Sequence, residues 1–149
     1  MSDCVFFPSE GWFEALAAQM REDIGPFKEL GAMDCTMVIQ VDEDEGSELF
    51  EVSFKSYAVD SIRRLDREVD ADPVHFRITA PLGVWREMID NIEDNGEPDL
   101  EHTLNFLTFP DDPMVVDGPD QLQTDAFYRY NQSLQLFFNG AAGIATQYR

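Results

Sequence analysis

The side chains best equipped for chemistry lie far apart along the chain: His75 and His102, the carboxylates Asp60 and Asp117, and the polar run Tyr128-Arg129-Tyr130-Asn131-Gln132-Ser133. A carboxylate or phenol withdrawn from water becomes a usable acid or base. Asp60, Asp117 or Tyr130 would therefore carry proton transfer, cyclisation or hydration of a nonpolar substrate. The spacing of these groups assembles no catalytic string. His75 falls on the strand face opposite Phe76, and His102 follows Glu101 on an expected surface helix; no third ligand stands at helical or strand spacing to either, so no metal site is expected. There is no Gly-x-Ser-x-Gly elbow. Gly140-Ala141-Ala142-Gly143 follows a helix instead of a strand, the wrong setting for a phosphate-binding loop, and reads as a helix stop opening a flexible tail over residues 139–149. Asp60 with Arg63 and Arg64, or Asp66 with Arg67, reads as exposed ion pairs or as the polar end of a cavity. In the polar run, one helical face presents Tyr130 and Ser133 inward, either to orient a ligand or to hydrogen-bond helix to sheet.

What must position these groups is a chain of 149 residues, 44% of them hydrophobic, enough for one domain with a proper core over residues 1–149. Thirty acidic side chains stand against ten basic ones, and the net charge of −20 repels phosphate backbones and anionic lipid surfaces. Nucleic acid is therefore excluded as a partner; neutral, cationic or apolar partners remain, with a homo-oligomer or a partner enzyme left open. Asp42-Glu43-Asp44-Glu45, Glu93-Asp94 and Asp111-Asp112 read as a solvated acidic surface, of the kind that stays hydrated in a salt-rich habitat. No run approaches the roughly 20 apolar residues that span a bilayer, so no direct membrane insertion is expected. Asp3 and Glu10 flank Val5-Phe6-Phe7 where a secretory signal would be basic and then apolar, which places the protein in the cytoplasm. Cys4 and Cys35 sit in no CxxC or CxxH spacing and are expected as free thiols, and no cofactor is expected.

Periodicity gives the order of elements. After Phe7-Pro8-Ser9-Glu10, the residues Trp12, Phe13, Leu16, Ala17 and Met20 form one helical stripe running to about Asp23, and a short turn carrying Phe27 and Leu30 follows Gly25-Pro26. Cys35, Met37, Ile39 and Val41 alternate with wetter positions on a strand. A turn at Asp42–Ser47 returns it as a second strand with Phe50, Val52 and Phe54 inward. Tyr57, Val59 and Ser61 prolong that strand or begin another, and Arg63 to Pro73 reads as an exposed connection. Val74, Phe76 and Ile78 share one face of a further strand, and Trp85, Met88, Ile89 and Ile92 then recur at i, i+3, i+4 and i+7 on a covering helix stopped by Asn95-Gly96-Glu97-Pro98. Leu100, Leu104 and Leu107 repeat the helical pattern briefly before Pro110-Asp111-Asp112-Pro113, and Met114-Val115-Val116 reads as a short buried strand. Asp117-Gly118-Pro119-Asp120 turns into a closing helix, Asp120 to Phe138, with Leu122, Ala126, Tyr130, Leu134 and Phe138 at i+4 steps. Strands followed by covering helices, without regular alternation, make an α+β layered domain.

That order, with Trp12 to Met20 as a first helix, Ala80-Pro81-Leu82-Gly83-Val84-Trp85 as a strand-to-helix junction and Val115-Val116-Asp117-Gly118 before a last helix, resembles the sterol carrier protein type 2 (SCP2) family across most of the chain. It departs from the family in the stretch Asn95 to Asp112 and in the aromatic closing helix with Tyr128, Tyr130, Phe137 and Phe138. The resemblance implies a curved, mostly antiparallel sheet covered by helices and enclosing an apolar cavity, and a carrier for a lipid, sterol-like or fatty-acyl ligand. Its wall is then expected among Phe50, Val52, Phe54, Phe76 and Ile78, under a lid of Trp85, Phe127, Leu134 and Phe137, with Tyr130 beside it. The other reading of the same aromatic stripes is ordinary core. An enzyme built on the same cavity, an isomerase, cyclase or hydratase, is the alternative. A charged residue at Phe127 or Phe137 is expected to abolish apolar binding and leave the sheet folded.

Overall fold

The alternation of Cys35, Met37, Ile39 and Val41 places the central strand. The computed structural model, which describes residues 4–66, 75–108 and 113–148, builds a five-stranded sheet around it. β1 (Val5–Phe7) leads into α1 (Glu10–Glu22) and α2 (Gly25–Leu30). β2 (Cys35–Glu43), β3 (Gly46–Lys55) and β4 (Ala58–Leu65) form an antiparallel meander. β5 (Phe76–Pro81) returns to lie parallel to β2 and runs into α3 (Leu82–Asn95). After a 3-10 turn at Leu100–His102 come α4 (Leu104–Leu107), β6 (Val115–Asp117), α5 (Gln121–Arg129) and α6 (Asn131–Asn139). A second 3-10 turn, Gly140–Gly143, precedes β7 (Thr146–Tyr148). Strand order is β4-β3-β2-β5-β6, a mixed sheet with no closed barrel, and β1 and β7 pair separately in parallel. The expected residues 67–74 and 109–112 lie outside the described residues.

Local chemistry explains the boundaries. Ser9 caps α1, its hydroxyl accepting from the Trp12 N–H at 3.1 Å, and the stripe Trp12, Phe13, Leu16, Ala17 and Met20 is buried as its period requires. Gly96, at φ 82, ends α3 in the left-handed conformation that glycine adopts at little cost. The core joins these helices to one face of the sheet. On the opposite face Val38, Leu49 and Leu65 form a smaller buried cluster among polar pairs such as Arg63 with Glu51 and Arg77 with Asp117.

Several expectations are corrected. Arg63 to Leu65 belong to β4, and the turn before it falls at Ser56-Tyr57; Ser56 sits at φ 58 without glycine, held because Asp34 accepts its N–H at 3.0 Å and its carbonyl accepts from Met33 at 2.8 Å. Leu100 and Leu122 are exposed, and β6 is an edge strand with Val115 in solvent, because it pairs with β5 alone. The closing helix is two helices, parted at Tyr130. Residues 140–148 are ordered elements instead of a tail: β7 is fixed by Trp12 Nε1 donating to Thr146 Oγ1 at 3.0 Å, by the Thr146 N–H on Glu93 at 3.2 Å, and by the Tyr148 hydroxyl donating to Asp90 at 3.0 Å.

Candidate functional site

The residues expected to wall a cavity do meet. Phe50, Val52 and Phe54 on β3 and Phe76 and Ile78 on β5 all point to the helical side of the sheet, because odd and even positions of a strand face opposite ways. α5 brings Phe127 over Phe76, ring centroids 5.6 Å apart, and α6 brings Phe137 edge-on to Phe54 at 5.0 Å. Phe13 from α1 covers Phe50 at 5.1 Å, and Phe138 lies beside Trp85 at 6.0 Å. Leu134 is buried in the same cluster. These rings fill the space between sheet and helices by touching one another, the packing that gives aromatic pairs their favourable offset and edge-to-face contacts. Trp85 is anchored as well as packed: its Nε1–H is shared between the carbonyls of Gln40 and Ala80, both at 3.2 Å.

Openings lie at the margins of this core. A recess of about 310 Å³ between the end of α1, α2, α6 and the Gly140–Gly143 turn reaches the core members Met20, Phe27 and Phe137 past Leu136. The turn packs closely there, for a Cβ on Gly143 would stand 2.7 Å from the Gln19 side chain. A second recess, of about 580 Å³, is lined by the run Tyr128 to Ser133 with Leu30, Ala32 and Asn105. Tyr130 therefore packs against the core cluster of Phe127 and Phe137 from its edge and lines this second recess. The two recesses share no lining residue. The first was hidden in the sequence, because Gln19, Leu136 and Gly140 come from segments that only the fold brings together; the small residues of Gly140-Ala141-Ala142-Gly143 were the one available signal.

The remaining polar candidates scatter. His75 precedes β5 and accepts the Thr36 N–H on Nδ1 at 3.1 Å; burial, and then the charge of Arg129, pushes its pKa below the ordinary 6.5. His102 pairs with Asp99 at 2.6 Å, and that bond holds the Asp99 carboxyl below its usual range. Asp117 is half-exposed and pairs with Arg77, and Asp60 is exposed on β4, so neither is the buried carboxylate that acid-base chemistry on a nonpolar substrate would use. Cys4 is exposed and Cys35 buried, both as free thiols, and burial raises the Cys35 thiol to about 12. Among the described residues no group of three His, Cys, Asp or Glu side chains could hold a metal, and no helix is long and apolar enough to cross a membrane. Two buried polar atoms lack a partner there, Gln40 Oε1 and Asn131 Nδ2.

This mixed five-stranded sheet with helices packed over its apolar face superposes on a solved sterol carrier protein. The crystal structure of a sterol carrier protein 2 superposes with a TM-score of 0.64 at 20% sequence identity, covering 92% of this chain and 98% of the other. The apo form of sterol carrier protein 2 from Yarrowia lipolytica aligns at 9% identity over 88% of this chain and 89% of its own, with a TM-score of 0.44. The chain thus has the SCP2-like fold. No protein-family model matches the sequence, and no curated protein matches it.

Proposed function

We propose that this protein binds an apolar small molecule of lipid, sterol-like or acyl type between the sheet and its covering helices. The observation that carries the reading is an SCP2-like fold spanning nearly the whole chain, combined with a recess whose floor is made of core residues Met20, Phe27 and Phe137. A ligand entering past Leu136 reaches the rings of Phe54, Phe76 and Phe127 once α6 lifts from the sheet. The apolar surface it removes from water returns roughly 25 cal/mol per Å², against the cost of parting Phe137 from Phe54. The recess lining also includes Asp23 and Glu97, while Phe54, Phe76, Phe127 and Phe137 behind it offer apolar surface alone, which suits binding of a nonpolar molecule.

Native mass spectrometry of the purified protein, followed by solvent extraction, tests this. A stoichiometric apolar adduct is expected. Leu136→Glu, which sets a carboxylate at a partly buried position of the recess, should weaken binding of a fluorescent sterol or acyl probe at least tenfold, with about 1–3 kcal/mol of stability lost because Leu136 packs against the core. A clean apo mass together with no probe binding overturns the proposal.

A further inference from the structure

The second recess offers chemistry that an apolar carrier does not use. In a continuous helix, the side chains of Tyr128 to Ser133 would radiate through more than a full turn. Here α5 stops at Arg129, Tyr130 leaves helical geometry at φ −104 and ψ 13, and α6 starts at Asn131, so that consecutive residues line one hollow with Leu30 and Asn105 opposite. Among its polar groups Arg129 is the one that can only donate. Ser133 is 5% exposed, and its hydroxyl has no hydrogen-bond partner among the described residues. Arg129 stacks over the Tyr130 ring at 5.4 Å and forms no ion pair among the described residues. Among the described basic side chains, Arg63, Arg64, Arg77 and Arg86 each hold a carboxylate, while Arg129, like Arg21, Lys28 and Lys55, holds none. No acidic side chain lines the hollow.

We propose that this recess binds a small organic carboxylate, the Arg129 guanidinium meeting its oxygens, the Ser133 hydroxyl donating beside it, and Tyr128, Tyr130 and Leu30 flanking its carbon skeleton. A guanidinium presents paired donors that match a carboxylate, and a buried donor without a partner is expensive, so an acceptor placed here gains on both counts. A neutral ligand of the same shape gains only the second. The site is separate from the apolar recess and does not depend on it.

The test is a ¹⁵N NMR titration of the whole chain with sodium benzoate and, in parallel, with benzamide as its neutral counterpart, at constant ionic strength. Benzoate should shift the Tyr128 to Ser133 amides saturably and bind at least tenfold more tightly than benzamide. Arg129→Gln, at an exposed side chain, should remove that tenfold preference and leave benzamide unchanged. Ser133→Ala should weaken both ligands severalfold, and Lys28→Gln, a surface charge elsewhere, neither. The proposal is overturned by an absence of saturable shifts, by equal affinity for the two compounds, or by Arg129→Gln binding benzoate as tightly as the parent protein.

Discussion

His75 illustrates how a residue that looks available for chemistry is committed by its neighbours. Its Nδ1 accepts the Thr36 N–H, which a protonated imidazole cannot do on that nitrogen, and its folded pKa lies below 6.5. A depressed pKa means that the unfolded chain takes up the proton first. The contribution of His75 is therefore full above pH 6.5 and is lost as pH falls through the folded value. Urea titrations of the parent and of His75→Gln between pH 7.5 and 5 should show the stability difference shrinking toward acid; a constant difference would refute the assignment. Gly118 is fixed by space: a Cβ would stand 2.4 Å from the His75 carbonyl oxygen and 2.4 Å from Thr124 Oγ1. Gly118→Ala should cost about 1–3 kcal/mol, read as a lower denaturation midpoint. Phe127 and Phe137 are fully buried, so a charge at either would cost the fold along with any ligand, contrary to the expectation from sequence.

Elements with a sustained apolar period were legible before the structure. Trp12 to Met20, the Cys35–Val41 strand and the Trp85 to Ile92 helix each repeat their spacing often enough to name both the element and its buried face. β1 and β7 were not, because three residues hold too little alternation to stand out and their pairing joins opposite ends of the sequence. The break at Tyr130 was equally silent, since the i+4 apolar steps of Ala126, Leu134 and Phe138 continue across it. For the site, the aromatic residues were legible as inward-facing, but period alone does not tell core from lining, and the recesses arise from segments distant in sequence. Ending the chain after Ala145 would leave the buried Trp12 indole N–H without Thr146 and Asp90 without Tyr148. The stranded indole N–H alone should cost about 1–3 kcal/mol, and calorimetry should record roughly 2–4 °C of lost melting temperature for each kcal/mol.

At the scale of the whole molecule, a net charge of −20 opposes the compact state, because folding brings like charges together. The Debye length falls from about 30 Å at 0.01 M salt to about 3 Å at 1 M. The melting temperature should accordingly rise with sodium chloride over that range; a flat response would show that the acidic clusters lie too far apart to matter. A quite different property follows from the parallel register of Val5 with Thr146 and Phe7 with Tyr148. Because the two strands run the same way, the chain enters β1 at one end of this short ribbon and leaves β7 at the other, so segments joined before Val5 and after Tyr148 head in opposite directions from a shared edge. A peptide that leaves Tyr148, runs back along the three-residue ribbon and re-enters at Val5 would allow the chain to be opened at the Asp44-Glu45 turn with the sheet left in register.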